Sequence, residues 1–193
     1  MTTLEKLEEL IYRGFGETDK RIEESDKRFK EEMKKLTKQV SDVTDSLGRF
    51  AESTVFPAVT PLLKKRGIRI NHLWGRLPAV QKGQGMELDI AGIGDDCAIA
   101  IEVKLRLKQE DVESFIEKLS KVFEFYPLLK RPTLYGGVAA MTIDKDVERF
   151  AYKQGLFILT QTGDNVRIVN DRAFRPHSFD SFKTNGTPKP RKR

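Results

Sequence analysis

At 193 residues and 38% hydrophobic content the chain holds material for one packed domain with an appendage, and no apolar run approaches the ~20 residues of a membrane span. The single cysteine, Cys97, excludes an intramolecular disulfide framework and a zinc ribbon, and His72 and His177 are too far apart in sequence to suggest a histidine metal centre. The net charge of +6 suits a nucleic-acid partner but is unevenly placed: residues 1–48 carry 10 Lys/Arg against 12 Asp/Glu, residues 49–180 carry 20 against 17, and residues 181–193 carry 5 against none.

The N-terminus is charged and lacks the apolar segment of a signal peptide, so a cytoplasmic protein with no membrane partner is expected. Leu4, Leu7 and Ile11 form an amphipathic start that Gly14 and Gly16 are expected to interrupt. From Glu17 a heptad repeats, ETDKRIE and then ESDKRFK. Ile22, Phe29, Leu36, Val43 and Phe50 recur every seven residues, with Met33, Val40 and Leu47 at the complementary position. Asp19 and Asp26 occupy that second position earlier, so the seam weakens towards the N-terminus. A helix over residues 18–50 would be about 50 Å long. It cannot bury such a seam alone, which predicts self-association through a coiled coil; the other reading is a solvated helix folded against its own domain.

The globular part is expected from about Ser46, where Phe50, Val55, Phe56, Val59, Leu62 and Leu63 extend the apolar pattern and Glu52 rides on the same helix. Pro57 and Pro61 are expected to kink or restart it, and Gly67 to cap it. Residues 68–74 read as a strand, with Trp74 in the core, and residues 78–85 as a mobile glycine-containing loop. From Ser53 to Met86 there is no acidic residue, while Lys64, Lys65, Arg66, Arg69, Arg76 and Lys82 are present. Of these, Lys64, Lys65, Arg66, Arg69 and Lys82 are candidate phosphate contacts, although the loop carrying Lys82 reads equally well as a plain connection.

Two alternating runs then flank a Gly-Asp-Asp turn. Met86, Leu88 and Ile90 alternate with Glu87 and Asp89, and Ile99, Ile101 and Val103 alternate with Glu102 and Lys104. In a hairpin closed at Asp95-Asp96, Asp89 faces Glu102 and Glu87 faces Lys104. Directly opposed Cβ atoms lie about 4.5–5.5 Å apart, so Asp89 and Glu102 can share one cation. Ala98 and Ala100 are expected on that face, leaving room for a substrate backbone, and Arg106 and Lys108 extend it with positive charge.

A second amphipathic helix is expected over residues 110–126, a buried small-residue strand over 133–141, a third helix from Asp144 to before Gly155, and a hairpin closed at Gly163 to Asn165. The boundaries drawn are 1–48 for a coiled-coil helix, 49–175 for the globular domain and 176–193 for a basic, disordered tail.

The globular pattern is α-β-β-β-α-β-α-β-β, a mixed α/β (α+β) central sheet flanked by helices. With Glu52 on the first helix, Asp89 on the second strand and Glu102-Val103-Lys104 on the third, it resembles the PD-(D/E)XK nuclease superfamily, and more closely an uncharacterised bacterial and archaeal branch with N-terminal heptad repeats. Asp89 follows Leu88 where that family often has proline. The resemblance implies a restriction-endonuclease-like fold and a Mg²⁺- or Mn²⁺-dependent endonuclease or exonuclease acting on DNA. It also implies that the Val103 carbonyl joins Asp89 and Glu102 as a ligand, that Glu52 binds through water or holds a second ion, and that Lys104 positions and helps deprotonate the attacking water. Two plainer readings stand beside it: an acid-and-lysine face that is simply solvated, and a non-catalytic nucleic-acid binder or oligomeric scaffold that kept the fold.

Overall fold

The computed structural model of the protein describes residues 2–130 and 132–180; the basic run at residues 189–193, expected to be disordered, lies outside them. The chain divides into two compact units, Met1–Ser46 and Leu47–Arg193. In chain order the elements are α1 (Thr3–Lys64), β1 (His72–Gln81), β2 (Gln84–Ile93), β3 (Cys97–Leu107), α2 (Gln109–Phe125), β4 (Thr133–Ile143), α3 (Lys145–Lys153), β5 (Phe157–Thr162) and β6 (Asn165–Ile168), with a short 3-10 turn at Pro127–Lys130. That is the order read from the sequence. No helix among the described residues is long and apolar enough to cross a membrane.

The first unit is helical from Thr3 onward. Gly14 and Gly16 do not interrupt it, since a glycine costs a helix about 1 kcal/mol and does not forbid it. Its heptad residues Ile22, Phe29, Met33, Leu36, Val40 and Val43 are all exposed within the single chain.

In the second unit the six strands lie in sequence order in one sheet; β3, β4 and β5 run parallel, and the other neighbours pair antiparallel. One face packs on the last turns of α1. Ala51, Val55, Val59 and Leu63, spaced by four, form a buried stripe in one cluster with Ile90, Ile99, Ile101, Val103 and Phe157. This stripe explains why Pro57 and Pro61 neither restart nor end α1, contrary to expectation. Each proline withdraws one backbone N–H, but the turn it weakens is pinned to the sheet by the neighbouring stripe residues. Gly67 caps the helix, with φ +80° and the Ile68 N–H returned to the Leu63 carbonyl at 3.0 Å.

The opposite face carries Ala98, Ala100, Val138 and Ala140 under α2 and α3, which contribute Val112, Phe115, Leu119, Val122, Val147 and Ala151. Small sheet residues let α2 come close: a Cβ on Gly136 would lie 2.6 Å from Leu156 Cδ2 and 2.8 Å from Leu119 Cδ1. Phe179 is buried in this cluster and the Asp180 carboxylate accepts the Leu134 N–H, so the packed chain continues past residue 175, where the tail was drawn.

Two further expectations are corrected. Residues 78–85 are not a loop. They are the facing halves of β1 and β2, joined by Lys82 and Gly83 at φ +50° and +77°, the conformation of a two-residue I′ hairpin turn, and Pro78 is tolerated because β1 is an edge strand. The first strand accordingly starts at His72. Trp74 is 42% exposed and stacks on His72 at 5.9 Å between ring centres, rather than entering the core.

Candidate active site

The β2–β3 hairpin has the register read from alternation. Ile90 pairs with Ile101, Ala91 with Ala100, Gly92 with Ile99 and Ile93 with Ala98. One step further would set Asp89 opposite Glu102, and there the ladder stops. In its place Asp89 Oδ2 accepts the Val103 N–H at 2.7 Å, so the carboxylate closes a backbone bond that the parting strands no longer make. On the other side β1 is also irregular: Gly75 pairs with Ile90 and Leu77 with Leu88, but Arg76 between them is left out of the ladder at φ +49°.

This break reverses the alternation in β2. Leu88 joins the cluster under α2 while Ile90 joins the one under α1, so Met86, Leu88 and Ile90 do not share one face as expected. Nor does Glu87 pair with Lys104; it lies beside Arg76 at 3.8 Å and opposite Pro78.

Glu102 is 8% exposed, and both its oxygens are bound by ammonium groups: Oε1 lies 2.9 Å from Lys104 Nζ, and Oε2 lies 2.6 Å from Lys118 Nζ on α2. Burial pushes its carboxyl up, but the hydrogen bond and charge of Lys118, followed by those of Lys104, outweigh burial and hold it below the usual range. Asp89 lacks such partners. Burial first, and the Glu102 charge second, raise it to about 6, against the lowering pull of the Val103 N–H and the two lysines. For Lys104, burial lowers the affinity for its proton, but the hydrogen bond and charge of Glu102 prevail and raise it, so the side chain is an ammonium. Asp89, Met86, Glu87, Ser114, Lys118 and Lys121 line an open groove of about 710 Å³ between β2 and α2.

The structure gathers some of the expected site residues and leaves others apart. Glu52 is paired with Arg76 Nε at 2.9 Å, and no group of three His, Cys, Asp or Glu side chains able to hold an ion exists among the described residues. Ala98 and Ala100 are fully buried; their small size admits α2 rather than a substrate. Arg106 is bound to the Asp144 carboxylate at 2.8 Å, and Lys108 is the N-cap position of α2, its N–H taken by Asp111. The Arg66 guanidinium is spent on the Asn170 and Asp171 carbonyls. Lys64, Lys65, Arg69 and Lys82 are exposed, and none lines the groove.

Sequence reading missed Lys118 and the pairing of Arg76 with Glu52. Lys118 left a signal, as a cation three residues after Phe115 and four before Val122, beside the stripe that α2 buries.

No family model matches the chain, and no curated protein matches it. Among solved structures it is similar to a repair endonuclease from Pyrococcus abyssi, at 18% identity over 54% of this chain and 44% of that one, with a TM-score of 0.32. It is also similar to the small subunit of the heterodimeric restriction endonuclease R.BspD6I (15% identity, 51% and 56% covered, TM-score 0.30). A third similarity is to an fdxN element excision controlling factor protein from Anabaena variabilis (22% identity, 60% and 98% covered, TM-score 0.29). The chain spans about half the length of the first two.

Proposed function

We propose that this chain is a metal-dependent phosphodiesterase of the PD-(D/E)XK kind that acts on DNA. The observation that carries the reading is the placing of Asp89 and Glu102 just beyond the last β2–β3 pair, the charge of Glu102 acting on Asp89, with the Lys104 ammonium 2.9 Å from Glu102. The donor set fits a hard divalent ion. It offers carboxylate oxygens, and one of them, on Asp89, is held at a raised pKa of about 6 by burial and by the neighbouring Glu102 charge. Asp89, Glu102 and the Val103 carbonyl would hold Mg²⁺ or Mn²⁺, which supplies charge neutralisation at the attacked phosphate and a water of lowered pKa.

The chain's own residues divide the remaining work. The Val103 N–H fixes Asp89 through Oδ2. Lys104, an ammonium paired with Glu102, is a donor: it orients the attacking water and stabilises negative charge growing on the phosphoryl oxygens. Lys118 fixes the second oxygen of Glu102 and so sets the plane of that carboxylate. Plasmid, single-stranded and branched DNA incubated with Mg²⁺ or Mn²⁺ test the reading. Cleavage is expected to vanish in Lys104→Ala and Asp89→Asn, and cleavage indifferent to both overturns it.

One observation favours a second reading, a nucleic-acid binder that kept the fold without turnover. Both oxygens of Glu102 are occupied by lysines, and Glu52 does not join the pair. Salt-sensitive DNA binding without cleavage, weakened by charge removal at Lys64 and Lys65, would select it. In either case the exposed heptad seam of α1 supports self-association through a coiled coil, since a stripe of Phe29, Met33, Leu36, Val40 and Val43 is stabilised by burial against a like stripe.

A further inference from the structure

We infer that the hollow at the C-terminal end of α1 is a second anion site, separate from the groove at Asp89, and that it takes a nucleoside phosphate. The hollow measures about 760 Å³, a size typical of small-molecule sites. Four cations border it, and they come from two distant parts of the chain: Lys65 and Arg66 follow α1, while Arg172 and Arg175 follow β6. Among the described residues no acidic side chain lines it. The ion pairs described in this unit join Arg76 to Glu52 and Glu87, Lys104 and Lys118 to Glu102, and Arg106 to Asp144; none of the four cations takes part in them.

Two of the four are held in place without being neutralised. Arg66 donates to the Asn170 and Asp171 carbonyls, and Arg175 Nη1 lies 3.1–3.2 Å from the carbonyls of Arg172, Ala173 and Phe174. Carbonyls satisfy the hydrogen bonds and fix the guanidinium positions, yet they leave the positive charge uncompensated. The nearest acid in sequence, Asp171, is turned to the Tyr152 hydroxyl and the Phe174 N–H. Cations at the end of α1 also offset the helix dipole. That accounts for Lys65 and Arg66 but not for two arginines delivered by another segment.

The remaining wall is apolar and aromatic. Ile68, Tyr135, Phe157 and Phe174 form it, with Tyr135 and Phe174 each packed edge-on against Phe157 at 6.4 and 5.4 Å between ring centres. Phosphate at the cationic rim with a ring body against this wall is the ligand such a surface recognises, and an inorganic anion alone would leave the wall unused. The hollow is also remote from the groove. Tyr135 pairs with Ile99, three residues before Glu102, which is about 10 Å along the strand. It belongs to the cluster on the α1 face, whereas Glu102 reaches Lys118 on the α2 face.

Titration calorimetry on the full chain in EDTA tests this, with ADP, adenosine, inorganic phosphate and a short 5′-phosphorylated single strand as probes. ADP is expected to bind and adenosine to bind at least about tenfold more weakly, the loss of one charge-assisted contact. Arg172→Glu, a change at an exposed side chain, is expected to weaken ADP by a similar factor with an unchanged Tm; Arg66 and Arg175 are left intact because their backbone bonds hold the fold. If ADP displaces the strand, the natural occupant is a strand end, and if the strand does not bind, it is a free nucleotide; both support the site. No heat from ADP overturns it, and so does ADP binding that survives Arg172→Glu but is lost in Lys104→Ala, which would put the nucleotide in the groove.

Discussion

Replacing Asp89 with asparagine is expected to stabilise the protein at neutral pH in the absence of metal. The carboxyl titrates at about 6 in the folded chain against an ordinary value of 3.8, because it is buried beside Glu102. The folded state therefore binds this proton more tightly than the unfolded chain, and stability falls as the pH rises from about 4 through about 6. Above that window the charged carboxylate costs the fold up to about 3 kcal/mol. Asp89 is only half-buried, so solvent screening reduces this to roughly 1–2 kcal/mol. Asparagine has no charge to lose, and its Oδ1 can still accept the Val103 N–H. Urea denaturation in EDTA between pH 4 and 7.5 measures the difference between the two proteins, which cancels every other titrating group. The variant is expected to be the more stable at pH 7.5 and to match the native chain near pH 4. A variant less stable at pH 7.5, or a difference independent of pH, refutes the argument that Asp89 is a strained charge. With Mg²⁺ in place of EDTA the native chain is expected to gain stability and the variant to gain none.

Lys104→Ala is expected to lower the rate of DNA cleavage by about a hundredfold or more while leaving the circular dichroism spectrum unchanged, since it removes a donor aimed at developing charge. Glu102→Gln leaves the Lys104 and Lys118 ammonium groups without their counterion, and a loss of about 2 kcal/mol is expected in urea denaturation. Gly136→Ala forces a Cβ into Leu119 and Leu156 and is expected to cost about 1–3 kcal/mol, read as a lowered Tm. Removing residues 1–45 is expected to reduce the oligomeric state in sedimentation; an unchanged state removes the seam's proposed role.

Element order and type were legible because each long element carries one strong period. The stripe Val112, Phe115, Leu119 and Val122 could only be a helix, and the alternation from Ile99 to Val103 could only be a strand. The misreadings fell where local chemistry and tertiary context compete. Pro57 and Pro61 argue for a break if the helix is considered alone, and the buried stripe that overrides them belongs to the sheet. Gly83 and Gly85 with Pro78 argue for a loop. An edge strand excuses the proline and a two-residue turn uses only Gly83 and Lys82, but the edge position of β1 is a property of the whole sheet.

The candidate site was legible only as far as a hairpin register reaches. Register arithmetic brings Asp89 towards Glu102 because both lie on adjacent strands at a fixed offset from one turn, and the pairs from Ile90 to Ile101 through Ile93 to Ala98 obey it. It could not show that the ladder ends one pair short of the acids, beside an irregularity at Arg76 of a third strand with a positive φ. Nor could it decide what the charges do. Glu52 and Glu102 look alike in sequence, two acids near a predicted lysine or arginine. In space one is matched by Arg76 and the other by two lysines, while Asp89, the acid with no cation bonded to it, is the one whose charge is least tolerated. The distribution of cations among three carboxylates, more than the presence of the carboxylates, makes Asp89 the position at which an added positive charge would bring the largest gain.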